Sequence, residues 1–183
     1  MPVLVVLIIV GFVGFIYYQK SKPNPLLAMS NHQFLDECTT DMATQFHIHS
    51  HLTILNQGQS LAIPAQIGIT DTCMSSLHTH DGSGVIHIEA PMKRDFLLSD
   101  FFYNWKKPYS KDQVMDMKAD ANHAFKFYVD GREVADPDQI ILADHQDLVI
   151  DYYDTTKGPD PVPALYTWPD GSQSENDANK PLA

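Results

Sequence analysis

The chain has 183 residues, with 12 Lys and Arg against 23 Asp and Glu, a formal net charge of -11 and 44% hydrophobic residues. That length falls short of the about 250 residues of a (β/α)8 barrel, and an acidic balance without a basic stripe excludes the electrostatic footprint of a nucleic-acid partner. Aromatic residues make up 10% of the chain, enough with the other apolar residues to bury a core, which excludes wholesale disorder.

The bulk figures average two unlike pieces. Val3 to Tyr18 is an apolar run ended by Gln19, Lys20, Ser21, Lys22 and Pro23. At about 1.5 Å rise per residue, a helix of that length nearly crosses a hydrocarbon core of about 30 Å, and Tyr17 and Tyr18 suit the membrane interface. Residues 1–19 are therefore expected to be a single-pass transmembrane anchor, with the membrane as a partner. A cleaved signal peptide is the competing reading, but no basic stretch precedes the run and no small-x-small site closely follows it. Lys20 and Lys22 taken alone would leave the soluble part in the cytoplasm. Against this, the α-amino group offsets part of the charge bias, and the soluble part carries one pair of cysteines. The expectation taken is an extracytoplasmic domain. Cys38 and Cys73 allow one connectivity, so they form either a disulfide or two reduced, buried thiols, and the disulfide is preferred outside the cytoplasm. Without the anchor and its lysines, the remaining chain holds 10 Lys and Arg against all 23 acidic residues.

Residues 20–44 read as a linker with a short helix over Asn31 to Met42. From Phe46 the periodicity becomes two, with Phe46, Ile48, Ser50, Leu52 and Ile54 on one face and His47, His49, His51, Thr53 and Leu55 on the other, which predicts a strand. Asn56 to Gln59 supplies a turn and Ser60 to Ile63 a return strand stopped by Pro64, giving a first hairpin. A second hairpin follows Cys73, turning at Asp81-Gly82-Ser83-Gly84 and returning along Val85 to Glu89. Phe96 to Lys107 is an amphipathic helix with Asp95 as N-cap and Leu98, Phe101, Phe102 and Trp105 on its buried side. Strands over His123 to Val129 and Leu148 to Tyr153 follow, the first ended by the turn Asp130-Gly131. The expected fold is α+β and β-rich, built of antiparallel hairpins with one main helix. Its histidine-containing domain spans 45–156, and 157–183 is a loose tail rich in proline and polar residues.

Six of the nine histidines lie between His47 and His87. Side chains two apart on a strand share a face at about 6.6 to 7 Å, close enough for imidazoles to converge on one ion with bonds of about 2.0 Å. If Gly82 and Ser83 are the centre of a type II′ turn, His78 lies opposite His87, and His78, His80, His87 and Glu89 share a face. The alternative register would expose Ile86 and Ile88. The candidate metal ligands are thus His47, His49, His51, His78, His80 and His87, with Glu89 and Asp81 as orienting carboxylates or bases. Asp81 is also the natural first residue of the turn. His32, His123 and His145 are expected in ordinary polar surroundings. Imidazole suits copper and zinc among other ions, and Met74 and Met92 add little weight to copper.

The run Phe46-His47-Ile48-His49-Ser50-His51-Leu52, the stretch Ile63 to Ile69, and Leu77-His78-Thr79-His80-Asp81 continuing through Gly84 to Glu89 resemble a family of uncharacterised prokaryotic proteins, often membrane-anchored or exported. The resemblance spans about residues 45 to 153, includes the Leu97 to Trp105 helix, and implies no activity. Cupins and amidohydrolases also carry an HxH motif like that of His78 and His80. Here Glu89 comes too late for the first and the chain is too short for the second.

Three functions follow from these residues. The first is a membrane-tethered copper- or zinc-binding protein for handling or sensing. The second is a metalloenzyme in which three histidines hold the ion and an open position activates water or dioxygen. The third is a non-catalytic interaction domain with a pH-responsive histidine face. No nucleophilic triad, phosphate loop or dinucleotide fingerprint is present, and no catalytic residue is assigned.

Overall fold

A computed structural model describes residues 24–37 and 45–169 of the chain. The predicted anchor and Cys38, and with it the predicted disulfide to Cys73, lie outside the described residues. So does the end of the tail. Among the described residues no helix is long and apolar enough to cross a membrane. The chain divides into two compact units, Met1–Ser30 and Asn31–Ala183. In the first, the described part is one 3-10 turn, Pro25–Ala28, capped by the Asn24 side chain, which accepts from the Leu26 N–H at 3.0 Å.

The second unit opens with helix α1 (Asn31–Asp36) and strand β1 (Phe46–Asn56), followed by the short strands β2 (Gln59–Ser60), β3 (Ile69–Thr70), β4 (Cys73–Met74) and β5 (Leu77–His78). Then come β6 (Val85–Ala90), helix α2 (Leu98–Trp105), β7 (Tyr109–Ser110), β8 (Gln113–Val114) and β9 (Met117–Lys118). The last elements are β10 (His123–Val129), β11 (Arg132–Glu133) and β12 (Gln146–Asp154). The fold is α+β and strand-rich, with one main helix. Its principal sheet runs β11-β10-β12-β1-β6-β5, with β2 paired to the end of β1.

The predicted alternation sets the two faces of this sheet. On β6, Ile86, Ile88 and Ala90 are buried on one side while Val85, His87 and Glu89 point to the other. The apolar face continues through Ile48, Leu52 and Ile54 of β1 and Leu148 and Ile150 of β12, all at most 5% exposed. Helix α2 closes this side with Leu98, Phe101 and Phe102 fully buried, the Phe102 ring reaching Phe127 of β10 by way of Tyr109. The helix begins at Leu98, with Leu97 in the cap position instead of Asp95. Asp100, buried in the first turn, accepts the Leu97 N–H at 2.8 Å and holds the start that Asp95 was expected to hold.

The expected antiparallel hairpins form, and beyond them β1 and β12 run parallel in the register Ser50↔Gln146 to Asn56↔Tyr152. Adjacent hairpins cannot reveal such a pair, since its strands are separated by most of the domain. The expected type II′ turn at Gly82 does not form. Within this loop the positive φ falls at Gly84 (90°) and not at Gly82, and the pairing closes at His78↔His87 above a wider loop. The predicted register of that hairpin nevertheless holds. A Cβ on Gly84 would meet the Leu52 carbonyl at 2.5 Å, so the glycine is what lets this loop lie against β1, where Leu52 N–H donates to the Gly84 carbonyl at 2.9 Å.

Residues 157–169, expected as a loose tail, fasten to the polar face of the sheet. The Asp160 N–H donates to Asp151 at 2.9 Å, the Tyr166 N–H donates to Asp147 at 3.1 Å, and the Tyr166 ring stacks on His51 at 3.9 Å. Gly84→Ala is expected to destabilise the protein by about 2 to 4 kcal/mol through the backbone clash and the unfavourable φ. Thermal unfolding monitored by circular dichroism measures it.

Candidate metal centre

The histidine site is assembled by strand register. β1 and β6 pair antiparallel with His47↔Glu89, His49↔His87 and His51↔Val85, and β6 pairs with β5 through His78↔His87. Directly paired residues share a face. His49, His87 and His78 therefore form one row across three strands, and His47 and Glu89 form the next row beside it.

The rings converge on His87. Its centroid lies 4.5 Å from those of His49 and His80, 5.3 Å from that of His78 and 5.8 Å from that of His47. Four donors about 2.1 Å from a tetrahedral ion lie about 3.4 Å from one another. The observed nearest separations bracket that value: His49 Nε2 to His87 Nδ1 3.1 Å, His78 Nε2 to His80 Nε2 3.2 Å, and Glu89 Oε1 to the nitrogens of His47, His78 and His87 at 3.2, 3.7 and 3.8 Å. Two sets of side chains each bring their donor atoms within 4.8 Å of one another: His78, His80, His87 and Glu89, and His47, His49 and His87. Either set can hold a metal ion.

The protonation of these rings suits ligation. His78 is fully buried, and its Nδ1 lies 2.9 Å from the Ser75 carbonyl, which can only accept. The hydrogen of the neutral ring is thereby fixed on Nδ1, and Nε2 faces the cluster with a free lone pair. Burial holds His78 down to about 4, against the Ser75 contact, with help from the imidazoles of His80, His47 and His49. Burial followed by the same crowding, from His49 first, holds His87 down to about 3. His49 is lowered by burial and then by His47. The buried row is therefore neutral at physiological pH, the state in which imidazole binds metal. Among the described residues, the Nδ1 of His49, a residue only 7% exposed, has no hydrogen-bond partner. An orphaned buried nitrogen costs about 1 to 3 kcal/mol unless a ligand or ion meets it.

Not all the predicted residues gather here. The His51 Nδ1 lies 2.8 Å from Asp147 and its Nε2 3.1 Å from the Ser83 carbonyl. Both ring nitrogens thus face protein acceptors away from the cluster, and His51 belongs to neither set of converging donors among the described residues. Asp81 is exposed and accepts the Ser83 N–H at 2.9 Å, which is the turn role weighed for it. Cys73 belongs to neither set among the described residues. His32 stacks on Tyr103 and faces Asp100, and His123 stacks on Tyr152 and faces Asp120.

Several residues at the site gave no warning in the sequence. The Asp144 side chain accepts the His49 N–H at 3.2 Å, and the His145 N–H donates to the His49 carbonyl at 2.7 Å. The Trp168 ring lies 4.7 Å from that of His145 and 6.5 Å from that of His49. These contacts arise from the parallel pairing of β12 with β1 and from the returning tail, and no local pattern encodes either. No protein-family model, curated protein or solved structure matches the chain.

The unfolded chain titrates its histidines near 6.5, well above the folded values of His78 and His87. Below 6.5 the unfolded state therefore binds protons that the native state refuses. Stability of the metal-free protein is expected to be intact above pH 6.5 and to fall as the pH drops towards 4 and 3, at about 1.4 kcal/mol per pH unit for each of the two groups. Urea denaturation between pH 7 and pH 4 measures this, and a flat profile would contradict a buried neutral row.

Proposed function

We propose that this protein is a membrane-tethered metal-binding protein that holds copper or zinc for handling or sensing, with its histidine domain outside the cytoplasm. The observation that carries the metal reading is the cross-strand row His49, His87 and His78, neutral rings whose donor atoms meet one another and Glu89 at ligand-like spacings. A set of imidazoles with one carboxylate suits copper and zinc better than the oxygen-seeking calcium or magnesium. The acidic balance of the chain beyond the anchor would modestly raise the local concentration of cations. Tethering and sidedness rest on the apolar run Val3 to Tyr18 and on the cysteine pair.

A metalloenzyme is the second reading. It is favoured by the exposure of His80 at the edge of a cluster whose other members are buried or half-buried, which leaves one side reachable by water or a small substrate. In that reading Glu89, beside three of the imidazoles, is the available base.

Full-length protein purified in detergent and dialysed separately against Zn(II) and Cu(II) is expected to retain metal at pH 7.5 and to release it as the pH falls towards about 4, where protons begin to compete for the buried His78. His78→Ala is expected to weaken binding at least about tenfold. A protein that stays metal-free with both ions would refute the reading. For sidedness, a phosphatase fused after Lys22 is expected to be active and a cytoplasmic reporter at the same point silent; the reverse pattern would place the domain in the cytoplasm.

A further inference from the structure

The cluster holds more donors than one ion can use. Five imidazoles and one carboxylate converge, whereas a tetrahedral copper or zinc ion takes four. A single octahedral ion does not accommodate them either, since six donors at about 2.1 Å would all lie within about 4.2 Å of one another. Here the donors fall into two sets, each compact within 4.8 Å.

The division follows the sheet. His47 and His49 come from β1, whereas His78 and His80 come from β5 and the loop after it. His87 and Glu89, on the intervening strand β6, stand at the seam. The His87 ring contacts the rings of both pairs. The Glu89 carboxylate likewise faces both sides, with Oε1 at 3.2 Å from His47 Nε2 and 3.7 Å from His78 Nε2. A carboxylate between two histidine pairs is the arrangement that lets neighbouring ions share one negative charge and so reduces their mutual repulsion.

We propose that the site is binuclear. One ion is held by His47 and His49, a second by His78 and His80, and His87 and Glu89 lie between them. This inference rests on the metal-binding reading above. The spacing expected for such neighbours is about 4 Å. The ions would leave positions open on the exposed side at His80, where water or a small anion can complete their coordination.

Cu(II) is the probe of choice, because it binds nitrogen and oxygen sites more tightly than the other divalent first-row ions. Full-length protein in detergent, dialysed against Cu(II) and counted by elemental analysis, is expected to hold two copper ions whose electron paramagnetic resonance shows spin coupling. The His47→Ala/His49→Ala and His78→Ala/His80→Ala double variants are each expected to hold one, with an uncoupled spectrum. One copper in the wild-type protein, lost in either variant, would overturn the binuclear site and leave the metal-binding reading intact. Two magnetically isolated coppers would overturn adjacency and with it the proposal. No bound copper, or two coppers retained in both variants, would overturn both readings. The wild-type count and coupling decide the matter even where a variant fails to fold.

Discussion

The antiparallel pairing of β1 with β6 in the register His49↔His87 is the constraint on which the site depends. A strand displays its side chains with period two, so this pairing lets the histidine-bearing face of β1 continue directly onto that of β6. A slip by one residue would place His49 beside an isoleucine of β6 and carry His47 and His49 into the apolar core. The same register brings Ile48 opposite Ile88, so burial of the apolar face and assembly of the polar face require the same alignment. The hydrophobic effect therefore positions the ligands, at a driving force of about 25 cal/mol for each Å² of apolar surface removed from water. The ligands need supply none of the folding energy themselves.

Gathering the imidazoles works against stability. Neutral rings packed within hydrogen-bonding distance must share a limited number of protons, and burial penalises any that become charged. The unsatisfied Nδ1 of His49 adds to this cost. A core selected only for stability would fill these positions with apolar residues, as it does on the opposite face. Consistent local choices with one such exception are what a functional site looks like in a folded sequence. A bound cation would reverse the sign of the arrangement, because the lone pairs that crowd one another in its absence become its ligands.

The polar face also has a cover that differs in origin from the sheet. Residues 157–169 return across it, joined by backbone N–H groups to Asp151 and Asp147 of β12, and bring Tyr166 onto His51 and Trp168 near His49 and His145. Asp147 serves two neighbours at once, accepting from His51 on one oxygen and from the Tyr166 N–H on the other. His51 is thereby tied into the support of this segment and separated from its two neighbours on the strand. Three histidines with the same local spacing thus take two different roles, because only His47 and His49 lie opposite β6 residues that carry ligating groups.

The sequence by itself determined the alternation of β1 and β6, the facing of His78 and His87, the amphipathic helix and the concentration of histidines. Each is a local property, expressed through the period of a strand or helix or through the need to keep Ile86 and Ile88 inside. The tertiary structure alone decided that β1 lies between β6 and a parallel β12, that Glu89 also meets His47, and that Asp147 withdraws His51. It also decided that Asp100 rather than Asp95 caps the helix and that the positive φ belongs to Gly84. These depend on partners that are distant in sequence, up to 96 residues apart for His51 and Asp147. Such contacts form because buried polar groups must find partners wherever the packed chain supplies them, and that requirement leaves no periodic mark in the sequence.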